Sequence, residues 1–115
     1  MATYKKTTLS GAANGLPILI VATATLGTTI HTAIAGTVSF DVIELYATNN
    51  DTVERTLTIE WGSATATNSI TLTIPSKEGL TYSIPNLILQ NSLVVTAFAS
   101  VASVIAVFGS VNRIS

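Results

Sequence analysis

Cysteine is missing from this 115-residue chain, so it has neither a disulfide framework nor a thiolate metal site, and its stability has to come from packing and sheet hydrogen bonds. Charge is nearly missing as well. Asp, Glu, Lys and Arg make up 10% of the residues, where a soluble domain usually carries about 25%. Two long stretches, Thr7–Phe40 and Gly79–Asn112, contain none of the four. The few basic residues, Lys5, Lys6, Arg55, Lys77 and Arg113, are scattered and the net charge is −1, so nothing forms the positive stripe that neutralises phosphates. Nucleic acid is therefore not an expected partner. Gly-rich phosphate loops are absent too, since Gly11 and Gly15 flank no strand-to-helix transition. Aromatics total 6%, too few for the several exposed rings of a carbohydrate groove.

The apolar fraction, 48%, is ordinary, which means that the shortfall is in the solvated charge that keeps a monomer's surface apart from its neighbours. Much of the surface is expected to face other protein. Threonine and serine fill the gap, and threonine favours the pleated, half-buried surface of a sheet. The length suits one domain that buries roughly two-thirds of the surface its unfolded chain exposes.

Residues 1–15 read as an N-terminal arm: Tyr4, Lys5 and Lys6 are followed by Thr, Ser, Gly and Asn with no apolar period. From residue 16 to 115, short alternating or apolar runs recur, each closed by a turn signal, which is the rhythm of an all-β fold. The expected strands are Ile18–Thr25, Thr28–Ala35, Val38–Thr48, Arg55–Trp61, Ser69–Ile74, Leu80–Ile84, Leu93–Ala99 and Val104–Arg113. Asn49-Asn50-Asp51-Thr52 is a turn whose side chains bond their own backbone. Pro85-Asn86 is expected to end a strand, and Leu87-Ile88-Leu89 to plug one end of the core. The expectation is a single-domain antiparallel β-sandwich of about eight strands, jelly-roll-like, carrying an extended N-terminal arm.

Two segments imitate membrane elements. Lys5 and Lys6 precede an apolar run, Leu16–Ala22, as in a signal peptide, but polar Ser10–Gly15 separates them and the run is short. Ser92–Val111 satisfies the bare length rule for a spanning helix, yet Val, Ile, Thr and Phe alternate with Ala and Ser there, and no interfacial anchors flank both ends. Strands are the better reading of both.

No residue pattern points to a reaction. His31 has no acidic or nucleophilic companion in local sequence, so a hydrogen-bonded or interface role is expected for it rather than catalysis or metal binding. Asp41 and Glu44 should face opposite sides of one strand, and Glu60 should point outward from another. The carboxylates are expected to be solvated, with no paired acids across a cleft and no calcium loop at Asn49–Asp51. Trp61 closes an alternating strand on its inward parity, as a core anchor near the sheet rim does. No catalytic residue, metal or cofactor is expected.

Ile30-His-Thr-Ala33 with Gly36, then Thr56-Leu-Thr-Ile-Glu-Trp-Gly62, Ile74-Pro75 with Gly79, and the closing Gly109-Ser-Val-Asn-Arg-Ile114 together resemble small virion structural proteins of tailed bacteriophages. In particular they resemble head decoration, or cement, proteins of about this length. That resemblance implies a jelly-roll or sandwich placed on the outside of an assembled capsid as a dimer or trimer. There it would bridge major capsid protein subunits, with host cytoplasm as the place of assembly and no membrane or small-molecule substrate. The partner-interface residues expected on this reading are Tyr4, Lys5, Lys6 and His31. A phage tail-fibre or baseplate module, a carbohydrate-binding sandwich using Trp61, Tyr46 or Tyr82, and a small holin-like membrane protein are the rival expectations.

Overall fold

The computed structural model describes residues 3–115. Their regular structure is β throughout, apart from one short 3-10 turn at Ala66–Asn68. The strands are β1 (Tyr4–Thr7), β2 (Ile18–Leu19), β3 (Thr28–Thr32), β4 (Phe40–Asn49), β5 (Arg55–Gly62), β6 (Ser69–Ile74), β7 (Thr81–Leu89), β8 (Val94–Ala99) and β9 (Ile105–Ile114). They form two antiparallel sheets. The first has the order β1-β9-β4-β7, with β2 sharing with β1 the edge of β9 that faces away from β4. The second has the order β3-β8-β5-β6. The pairing is nested: β2 with β9, β3 with β8, β4 with β7, and β5 with β6 at the centre.

Side-chain alternation explains why the sheets stack. In β4 the odd positions Ile43, Leu45 and Ala47 are fully buried while Phe40, Val42, Glu44, Tyr46 and Thr48 stay half-exposed. In β5, Leu57 and Ile59 are buried on the same principle. Between the sheets these residues meet Val95, Ala97, Ile105, Val107 and Val111 in one core. Gly109 sits where β9 runs against β4, and a Cβ there would lie 2.2 Å from the Glu44 carbonyl oxygen. Only glycine fits that approach.

Several expected boundaries move. Residues 4–7 of the expected arm are the strand β1, and Leu9, 1% exposed, belongs to the core. The segment from Tyr4 to Gly15 is therefore part of the body, and Met1 and Ala2 lie outside the described residues. The run expected over Ile18–Thr25 is a strand only at Ile18–Leu19. Beyond it the chain turns a corner between sheets, Ile20 N–H donating to Ile105 O at 2.9 Å and Ala22 O accepting from Ala99 N–H at 3.0 Å. Leu87–Leu89 is no plug but the second half of β7. Pro85 is tolerated because β7 is an edge strand whose register against β4 shifts on either side of Leu45, with Asn86 at φ 48. Ser92–Val111 contains β8, a turn and the first part of β9, and no helix among the described residues is long and apolar enough to cross a membrane.

Candidate functional site

The first of the expected interface residues, His31, is not on the surface. A bulge in β3 shifts its register against β8 between Thr29 and His31, so that Ile30 and His31 both turn inward and both are buried. There the ring meets Asp41, also fully buried: Nε2 lies 2.7 Å from Asp41 Oδ2. Arg113, across from Asp41 on β9, grips the same carboxylate with Nε to Oδ1 at 2.8 Å and Nη2 to Oδ2 at 2.9 Å. Ile34 N–H adds a fourth contact at 3.1 Å. The cluster ties β3 of the second sheet to β4 and β9 of the first.

Its chemistry is fixed by the other ring nitrogen. Ser10 N–H donates to His31 Nδ1 at 2.9 Å, so Nδ1 accepts and the proton sits on Nε2, directed at Asp41. Ser, His and Asp thus stand in one chain of contacts, but it is the Ser10 amide that meets the ring. The Ser10 hydroxyl oxygen accepts from Thr32 N–H at 2.7 Å, and no hydroxyl is aligned for attack. Burial works to raise the Asp41 pKa, while the hydrogen bonds of Arg113 and His31 and the charge of Arg113 outweigh it and hold the group below the usual carboxylate range.

Glu60 departs from expectation in a different way. It faces outward from β5, yet it is 1% exposed because the β2–β3 connection folds over it. Thr25 Oγ1 donates to Oε2, and Oε1 accepts from Gly27 N–H at 2.8 Å and Thr96 Oγ1 at 2.6 Å. Burial pushes its pKa up, and these donors bring it below the ordinary value. Gly27 makes the closure sterically possible, since a Cβ there would lie 2.4 Å from the Ala97 backbone. At the β4–β5 turn, Asn49 uses its amide on Val53 O and Ile74 O and its carbonyl on Asp51 N–H, while Arg55 Nε takes Asp51 at 2.6 Å. Among the described residues no three His, Asp or Glu side chains converge as metal ligands, and no enclosed pocket is formed.

What the structure does assemble is a surface, the outer face of the first sheet. Register carries Tyr4, Ile114 and Phe40 into one row, Lys6, Asn112, Val42 and Ile88 into the next, and Phe108, Tyr46 and Tyr82 into another, followed by Leu19, Ala106 and Thr48. Tyr4 is 74% exposed and Ile88 57% exposed, with no element among the described residues laid over them. Tyr46 and Tyr82 stack with ring centroids 4.8 Å apart. Tyr82 Oη donates to Glu44 Oε2 at 3.3 Å. The same carboxylate, by hydrogen bonding first and then with burial, raises the Tyr46 phenol, and burial followed by Glu44 raises that of Tyr82. Of the expected residues, Tyr4 and Lys6 share this face. Lys5, opposite Arg113, has the other parity, and His31 lies beneath in the core.

The outer face of the second sheet contrasts with it. Thr56 pairs with Thr73 and Thr58 with Thr71 across β5 and β6, giving a hydroxyl-bearing lattice. Trp61 is partly buried against the core, as its parity suggests. The chain matches no family model, and comparison with curated proteins and with solved structures gives no match.

Proposed function

We propose that this protein is a structural component of a virion. On this reading it is a tailed-phage head decoration, or cement, protein that lies on the capsid exterior and bridges major capsid protein subunits to stabilise the shell. The observation that carries the reading is the outer face of the first sheet, a largely uncharged surface that runs from Tyr4 to Leu19 and that no other element among the described residues covers. Aromatic and aliphatic side chains with one lysine and one glutamate suit a flat protein partner better than a small molecule, which asks for concavity. The threonine-bearing face of the second sheet is then the one left to solvent.

We also infer that the fold is a β-sandwich of the jelly-roll kind. If β1 and β2 are counted as one interrupted edge strand, the nested pairs describe a single long hairpin rolled into two four-stranded layers, the arrangement found among capsid and lectin domains. Each contact with the shell is modest, and an oligomer gripping several subunits gains about 10²–10⁴ in affinity through effective concentration.

The test uses purified particles and empty heads assembled without the protein. Antibody labelling is expected on heads and not tails, and the native chain should co-sediment with the empty heads. The Tyr46→Asp/Ile88→Asp variant, altered at surface positions only, should lose binding at least ~10-fold while its circular dichroism is unchanged. Tail labelling, or unimpaired binding by the variant, would overturn the reading. A carbohydrate-binding alternative draws on the stacked Tyr46–Tyr82 pair beside Glu44, and saturable glycan binding abolished by Tyr82→Ala would favour it.

A further inference from the structure

Two sheets have four edges, and in this molecule three of them are blunted. The β1/β2 edge is interrupted between Thr7 and Ile18 and carries Lys5, Lys6 and Pro17. β3 is five residues long and bulged. β7 contains Pro85 and two register shifts. These are the usual devices that stop one sheet from pairing with another.

β6 has none of them. Ser69-Ile-Thr-Leu-Thr-Ile74 holds an unbroken register against β5 over its whole length, with no charge, proline or glycine, and no strand among the described residues pairs with its other side. An unbroken, uncharged edge rich in β-branched residues is a template for a further strand. The core is open beside it. Ile70 and Leu72, which face inward with Ile59 and Leu57, are only partly buried, and Leu87, inward with Ile43 on the neighbouring edge β7, is 38% exposed. The opposite flank is closed, with Leu9 buried and Gly11 N–H bonded to Ile30 O on β3.

The geometry points to a second copy of this chain as the occupant, its β6 lying antiparallel to the first across a two-fold axis so that two four-stranded sheets become one of eight strands. Self-pairing suits this segment because it brings threonine against threonine on one face and aliphatic against aliphatic on the other, with no like charges opposed. A two-fold axis also closes the assembly and leaves no edge for further growth. This pairing belongs to the free protein and does not depend on the shell reading, so each can fail without the other.

Sedimentation equilibrium of the purified chain is expected to give twice its mass of 11.9 kDa. The Thr71→Lys/Thr73→Lys variant, changed at two exposed positions, should weaken the dimer on the order of 100-fold through opposed charges and keep its β spectrum. In a chain with no native cysteine, Thr71→Cys/Thr73→Cys should form disulfide-linked pairs on oxidation, whereas Val38→Cys, in an exposed loop, should not. A single-chain mass for the native protein, a trimer, a lysine variant that stays dimeric, or cysteines that fail to link through β6 would each overturn the proposal.

Discussion

At the scale of single residues, the polar groups that matter for this fold are the ones hidden in it. Fully buried Asp41 accepts from Arg113, His31 and Ile34, so removing it leaves the partly exposed guanidinium without its ion partner and the buried imidazole N–H without its acceptor. Asp41→Ala is expected to cost about 3–5 kcal/mol in urea unfolding at pH 7. Thr52→Ala, at an exposed turn position, should cost well under about 1 kcal/mol. Asp41 shares the inward parity of Ile43, Leu45 and Ala47, but its buried partner His31 was not legible in the sequence. Alternation alone puts His31 and Ile30 on opposite faces, and only the bulge turns both inward. Glu60 keeps its expected outward parity and is buried by a loop contributed from thirty-odd residues away, a contact that no local pattern encodes.

At the scale of elements, the strands that were easiest to read are those with clean alternation and a turn at each end: β4, β5 and β6 sit within two residues of their expected limits. Those that were misread depend on partners. β1 has no apolar period and is a strand because β9 offers it an edge, while β7 runs through Pro85-Asn86 because an edge strand can bulge there. The expected arm therefore behaves differently from a tether. Deleting residues 2–10 removes β1 and the buried Leu9, and should destabilise the protein by at least roughly 2–5 kcal/mol, seen as a lower urea midpoint. A truncated chain of unchanged stability would show that β1 contributes nothing to the body. Lys6 and Tyr4 are better probed by point substitution.

At the scale of the whole molecule, the two outer faces differ in kind, aromatic and aliphatic on one side and threonine-bearing on the other, and the two flanks differ in closure. The charge-poor composition carries only the proposal that protein covers part of the surface. It did not say which part, because face identity depends on register between strands far apart in sequence. Stability as a function of pH is also a property of the whole. Asp41 and Glu60 both have pKa values held below those of the unfolded chain, so the unfolded state takes up protons first as pH falls. Their contribution is complete above the ordinary carboxylate range, about pH 4–5, and is lost as pH drops through their lower folded values. Urea midpoints should decline below about pH 4. The Asp41→Asn/Glu60→Gln variant should begin lower and show a shallower acid limb.

The nested pairing also governs when this molecule can exist. β9 is the last strand in chain order, yet it lies in the interior of the first sheet, between β4 and the pair β1 and β2. Until it leaves the ribosome, β1 and β2 have no partner and β4 has only β7, while the hairpin of β5 and β6 is the ladder with the shortest connection to close. Tyr46 and Tyr82 can meet as soon as β7 pairs with β4, but Phe108, Asn112 and Ile114 join the aromatic face only with β9, so a chain still lacking β9 meets any partner with an unfinished surface.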